Sequence, residues 1–264
     1  MNYSHVFDIA LKDMKEAFSS IAIYGPMIGI PLFFAFTLPA FTVYISKFAG
    51  EQLLVRILGT AASAAGISSY QTAKFAFVKY FALDILGPIF LTMPIITATV
   101  IAADSFAGEK ERRTAESLLS TPATNSELLA GKTLASLIPS VLLTAMIYVI
   151  YALVTNYLSM LYYGAVIFPN IVWYMMLANA PFLALTTIGL IVLVSSRVKD
   201  IKEAQQISSL LVLPILVIPF ISVFNAANID FWFLFEMMLA LVASSAFVLY
   251  ISVRFFDRER FIVA

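Results

Sequence analysis

Hydrophobic residues run along this chain in long blocks separated by short polar breaks. Six blocks are long enough to cross a hydrocarbon core of roughly 30 Å as helices. They cover about 21–45, 82–104, 133–155, 171–194, 205–224 and 232–253. Pro26, Pro31 and Pro39 in the first block, and Pro214 and Pro219 in the fifth, predict bends. A membrane tolerates such bends where neighbouring helices satisfy the freed carbonyls. Ahead of the first block the period changes. Residues 1–20 place Phe7, Leu11, Met14 and Phe18 on one helical face, with Asp8, Lys12, Lys15 and Glu16 on the others. A helix of this kind lies in the membrane interface. The segment 46–80 is mixed, with a small-residue stretch at 59–69 between two short amphipathic pieces, and reads as external. The predicted fold is an all-α integral membrane protein: six transmembrane helices in one domain over 1–264, preceded by an N-terminal interfacial helix.

Composition agrees with the pattern. The chain is 61% hydrophobic and 12% charged, with a mean hydropathy of +0.94; a soluble domain is about 45–50% apolar. Net charge is zero, so no basic field points to nucleic acid. Cys is absent, which excludes disulfides and thiolate chemistry, and His5 is the single His, which excludes multi-His metal centres. The first apolar block follows a mixed-charge segment and is too long for the core of a cleavable signal peptide.

The positions of Lys and Arg give an orientation. With the N-terminus inside, the inner segments hold Lys12, Lys15, Lys110, Arg112, Arg113, Lys132, Arg197, Lys199, Lys202, Arg254, Arg258 and Arg260. The outer segments hold Lys47, Arg56, Lys74 and Lys79, all within 46–80. This places both termini in the cytoplasm, with 105–132 as a cytoplasmic loop between the second and third spans.

That loop concentrates the charge of a greasy chain. Its core reads GEKERRTAESLLSTP from Gly108 to Pro122. Glu109 and Arg113 stand at i, i+4 with the acid first, and Arg112 and Glu116 form a second such pair. Ala115, Leu118 and Leu119 make a small apolar face, and Pro122 stops the helix. Thr124 and Glu127 then form a capping box that opens a further helix through Gly131 and Lys132 into the third span. Positive charge alone would fix topology. Interleaved acids, an apolar face and a proline stop describe a helix that docks a cytoplasmic partner.

The loop resembles the signature of ABC transporter type-2 permeases. The matching residues are Gly108, Glu109, Lys110, Glu111 and Arg112, then Thr114, Glu116, Leu118 and Leu119, then Pro122, Gly131 and Lys132. Ala115 stands where that family commonly has Leu. Residues 195–214, with Glu203-Ala204-Gln205-Gln206 and Pro214, resemble the family's entry to its fifth span, and 9–20 resemble its N-terminal interfacial helix. The resemblance implies a permease subunit of an exporter that works with a second permease subunit and two ATPase subunits. It makes the loop the coupling helix, with Glu109, Lys110, Glu111, Arg112, Arg113, Thr114, Glu116, Leu118, Leu119 and Pro122 as the ATPase-docking residues. ATP and Mg would then be held by the partner, with no cofactor and no catalytic residue on this chain, and the plasma membrane as its location.

The chain's own sequence offers no ATPase. SELLAGKT (126–133) ends like a phosphate loop, but Ser126 occupies the position of the first Gly and the stretch reads as helix. Candidates for a substrate path are Asn179, Glu236, Thr92 and Thr97. Intramembrane polar groups mark function or helix–helix hydrogen bonds. Trp173, Tyr174, Trp232 and Tyr250 fall near span ends, as in an aromatic belt. A secondary transporter would call for an inverted repeat, which the sequence does not present. An intramembrane protease would call for Ser–His or paired Asp within spans, and these are absent. A non-transporting membrane anchor for an ATPase would carry the same docking helix.

Overall fold

The computed structural model describes residues 3–19, 21–48, 50, 54, 56, 70–108, 111, 124–195, 198, 201–208, 210, 211, 213 and 231–255. Among them are helices and short connections and no strand. The helices are α1 (Tyr3–Ser19), α2 (Ile21–Phe48), α3 (Tyr70–Tyr80), α4 (Leu86–Phe90), α5 (Met93–Ala103), α6 (Asn125–Tyr163), α7 (Ile171–Ser195) and α8 (Phe231–Phe255). A π-helical turn, Phe81–Ile85, joins α3 to α4, and a second, Asp104–Gly108, continues α5. Residues 201–208 are also helical.

Five helical runs are long and apolar enough to cross a membrane: Met27–Phe48, Ala73–Gly108, Asn125–Tyr163, Ile171–Ser195 and Phe231–Arg254. The fifth block of the sequence, 205–224, is described and helical only at 205–208, 210, 211 and 213; its remainder, and the 59–69 stretch, lie outside the described residues. The blocks at 171–194 and 232–253 match α7 and α8 closely. Two helices overrun the apolar blocks that announce them. Helix begins at Tyr70, so the end of the segment read as external continues into the second span. α6 has 39 residues, about 58 Å at 1.5 Å per residue, nearly twice the hydrocarbon thickness, and it extends beyond the block 133–155 at both ends.

Local chemistry sets the ends of α6. The Thr124 side chain accepts from Glu127 N at 3.3 Å and Glu127 Oε2 accepts from Thr124 N at 3.0 Å, the reciprocal capping box read from sequence. Gly164 closes the far end with φ +68°, its N–H donating to Met160 O at 3.1 Å. Asn156 then pins the connection to α7: its Oδ1 accepts from Ile167 N and Phe168 N, both at 2.9 Å, and its Nδ2 donates to Phe168 O at 2.7 Å.

The core forms where α6 and α7 meet α4 and α5. Phe90, Tyr148, Tyr151, Phe168 and Trp173 cluster as an aromatic centre. Trp173 is therefore buried rather than part of a belt, while Tyr174, Trp232 and Tyr250 are exposed. Tyr151 Oη donates to Ala82 O at 2.9 Å and Tyr148 Oη to Gly87 O at 3.4 Å. The π turn and Pro88, which has no N–H to give, disturb the helix ladder here, and the two hydroxyls supply donors.

α7 and α8 pack through small and hydroxylic residues. A Cβ on Gly189 would fall 2.7 Å from Val248 Cγ1, and Ser252 Oγ donates to Gly189 O at 2.9 Å. This is the close-approach packing expected where lipid, not water, surrounds helices. In contrast to the 72% burial within Ala73–Gly108, the most apolar stretches of Met27–Phe48 and Phe231–Arg254 are buried only to 28% and 22%. α2 and α8 thus present broad apolar faces outward, including Phe33, Phe36, Phe41 and Tyr44 on α2 and Trp232, Leu239 and Phe247 on α8.

Candidate functional site

One end of the bundle gathers unusual chemistry. Here the chain leaves at Gly108 and returns at Thr124, and α1 lies across the first turns of α6. α1 buries Val6, Ala10, Asp13 and Ala17, which follow one another at helical spacing. The apolar face read from sequence points the other way: Phe7, Leu11 and Phe18 are exposed. The helix therefore has two working faces, a small-residue stripe for protein and a bulky stripe left open.

Gly131 sets how close α1 can come. A Cβ there would lie 2.8 Å from both Ile9 Cβ and Ile9 Cγ2, and 3.0 Å from Val6 O. None of these atoms is the free end of a flexible side chain, so α1 itself would have to move. Gly131→Ala is expected to destabilise α1 docking by about 1–3 kcal/mol, the usual cost of overpacking. Limited proteolysis should then release residues 1–20 earlier than in the parent; unchanged protection would refute this contact.

Directly after Gly131, Lys132 is buried, 1% exposed, beside Asp13 at 6%. Lys132 Nζ lies 3.2 Å from Asp13 Oδ2 and donates to Ser105 O at 2.5 Å and to Ser105 Oγ at 3.3 Å. Ser105 Oγ donates to Asp13 Oδ2 at 2.5 Å. The Phe106 ring stands 5.4 Å from the ammonium, within cation–π range. Three elements thus meet in one polar knot: α1, the π turn Asp104–Gly108 and α6. The sequence places Lys132 among the cytoplasmic charges, on the helix that enters the third span, and does not single out Asp13. A Lys beside a Gly at the start of a span, with an Asp on the small-residue face of α1, was the available signal. Nearby, His5 Nδ1 lies 3.9 Å from Glu127 Oε2, so the capping acid also faces α1.

Of the ten docking residues proposed from sequence, Glu111 is described; it is helical and exposed. Glu109, Lys110, Arg112, Arg113, Thr114, Glu116, Leu118, Leu119 and Pro122 lie outside the described residues. Glu111 Oε2 accepts from Ile201 N at 3.1 Å, at the first turn of the helical stretch 201–208. A carboxylate there meets unsatisfied N–H groups and the positive end of the helix dipole. Ile201 and Ala204 pack with Ala103, Ala107, Val194 and Val198 on the same base.

The chain belongs to the ABC-2 family of transporter proteins. Residues 7–229 match the ABC-2 family transporter protein model. That span reaches from α1 to just short of α8. No curated protein sequence matches the chain significantly. Membership makes this a multi-pass membrane subunit of an ABC transporter. The described parts of all three landmarks that resemble the ABC-2 permeases in sequence meet at one end of the bundle: α1, the residues flanking the loop, and the 201–208 helix.

The polar candidates within the spans separate. Asn179 is buried between α7 and α8, its Nδ2 donating to Met175 O at 2.7 Å and Leu234 O at 3.3 Å. Thr97 is buried and donates to Met93 O at 2.9 Å, within its own helix. Glu236 is exposed on the outward side of α8. Thr92 alone of the four lines a cleft of about 730 Å³, together with Ile95, Ile96, Gln205, Gln206, Leu210 and Leu213. The cleft is apolar with a small amide and hydroxyl pole. Gln205 and Gln206 belong to the 195–214 landmark, and sequence alone did not single them out as lining residues. Among the described residues no His, Cys, Asp or Glu group could hold a metal.

Proposed function

We propose that this chain is the permease subunit of an ATP-driven exporter. ATP and Mg would be bound by separate ATPase subunits, and a second permease subunit would complete the pathway. The observation that carries the reading is the loop base. The segment resembling a coupling helix leaves from and returns to a base where a polar knot joins the second and third spans and α1, and against which the 201–208 helix packs. A push on such a loop reaches several spans at once. The i, i+4 charges set partner choice and register, while Leu118 and Leu119 supply anchors. The loop base then faces the cytoplasm of the plasma membrane, as the Lys and Arg distribution supports. α1 rests in the interface with Phe7, Leu11 and Phe18 in the acyl region and Lys12 and Lys15 among head groups. Cargo crosses along the cleft lined by Thr92, Gln205 and Gln206, which suits an amphipathic molecule. The low burial of α2 and α8 leaves ample apolar area for lipid and for a second permease.

Co-expression with an ABC ATPase subunit tests this directly. The two should co-purify, and inside-out vesicles should accumulate cargo only when ATP is supplied. Accumulation driven by an ion gradient without any ATPase would point to a secondary carrier instead. Stable co-purification with no ATP-dependent movement of lipids, drugs or ions would favour the membrane-anchor reading.

A further inference from the structure

The Asp13–Lys132–Ser105 knot is poorly explained as a source of stability. Removing two charges from water is costly, and a buried ion pair often contributes no more than a well-packed apolar pair of the same size. What such a pair does supply is geometry. Lys132 Nζ bonds both the carboxylate of α1 and the backbone carbonyl of Ser105. Ser105 belongs to the π turn just before the loop, and Lys132 lies in the second turn of the helix that follows it. The ammonium therefore ties the outgoing and returning strands of the loop to each other, and Asp13 ties both to α1. Gly131 lets the α1 backbone approach closely enough for the short Asp side chain to reach. Phe106 covers one side of the ammonium.

Resting on the permease reading above, we infer that Asp13 and Lys132 are positioning residues for energy coupling. They make the base of the loop one rigid body, so that displacement of the loop by the ATPase moves the second span, the third span and α1 together. Neither residue touches cargo or nucleotide. Without the knot, the loop would still dock and the ATPase would still turn over, but the loop could yield at its base instead of moving the spans.

The absence of Cys allows a clean test. An Ile96→Cys reporter on the cleft is alkylated with a maleimide in the complex with the ATPase subunit, with and without ATP plus vanadate. The same reporter is then placed in the paired variant Asp13→Leu/Lys132→Met, which removes both charges and leaves no unpaired charge behind. The expected result is that ATP turnover per assembled complex stays within about twofold, while the nucleotide-dependent change in alkylation rate shrinks by roughly fivefold or more. A merely structural role would lower assembly and turnover in parallel and leave the change per assembled complex intact. That outcome, or full retention of the change in the paired variant, overturns the inference. Failure of the parent chain to assemble with an ATPase at all is a different result, and it overturns the permease reading itself together with this inference.

Discussion

Leu118→Ala and Leu119→Ala are each expected to weaken binding of the ATPase subunit by about 2–4 kcal/mol, or roughly 30- to 1000-fold in Kd, if these residues are central anchors. Reversing Glu111, Arg113 and Glu116 together should slow association and make it respond differently to salt, because charges at an interface rim act on encounter and register. In either case vesicles should lose ATP-driven transport. Thermal unfolding of the variants should match the parent, which separates a docking defect from a folding one. Co-purification at graded salt, followed by ATP turnover, reads both effects. Undiminished assembly and turnover in the charge-reversed and leucine variants alike would remove the docking role from this segment. Glu111 carries an added consequence. Its carboxylate accepts from Ile201 N, so Glu111→Lys also places a cation at a helix N-terminus and should loosen the 201–208 helix from the base.

Lys132→Met is expected to destabilise the protein by about 3–5 kcal/mol, because it strands the Asp13 carboxylate in a buried site. Lys132 is 1% and Asp13 6% exposed, so water offers little relief. Asp13→Leu alone should cost a comparable amount by stranding the ammonium. The paired variant should recover most of the loss, which makes the two changes strongly non-additive. Thermal unfolding in detergent micelles provides the measurement, with α1 proteolysis as a local reporter. Simple additivity of the two single losses would mean that the two side chains act independently and that the 3.2 Å contact is incidental.

These variants also separate what sequence carries from what packing decides. Periodicity and hydropathy located α7 and α8 nearly to the residue, since the ends of a membrane-crossing helix coincide with the ends of its apolar block. The capping box at Thr124 and Glu127 was equally legible, because it is a local exchange of two hydrogen bonds between residues three apart. The same box announces the start of α6, since the helix it opens runs through Gly131 and Lys132 into the span. The extension of α6 beyond the apolar block to Tyr163 was not legible. Likewise α3 reads as an external amphipathic piece, yet it continues through a π turn into the span, with Tyr151 donating to a carbonyl inside that turn.

Taken by itself, the sequence determined that the chain is an all-helical membrane protein and where most spans lie, and it is the basis for proposing that one charged loop docks a partner. Those properties depend on local spacing and on transfer of side chains into lipid, which add along the chain. Tertiary structure alone decided which face of α1 meets protein, that Lys132 is buried, and that Thr92 joins Gln205 and Gln206 at a cleft while Asn179 does not. The physical reason is common to all three. A small or polar residue is ambiguous until a second helix arrives to bury it, and Asp13, Ser105 and Lys132 are separated by 92 and 27 positions along the chain before packing makes them neighbours.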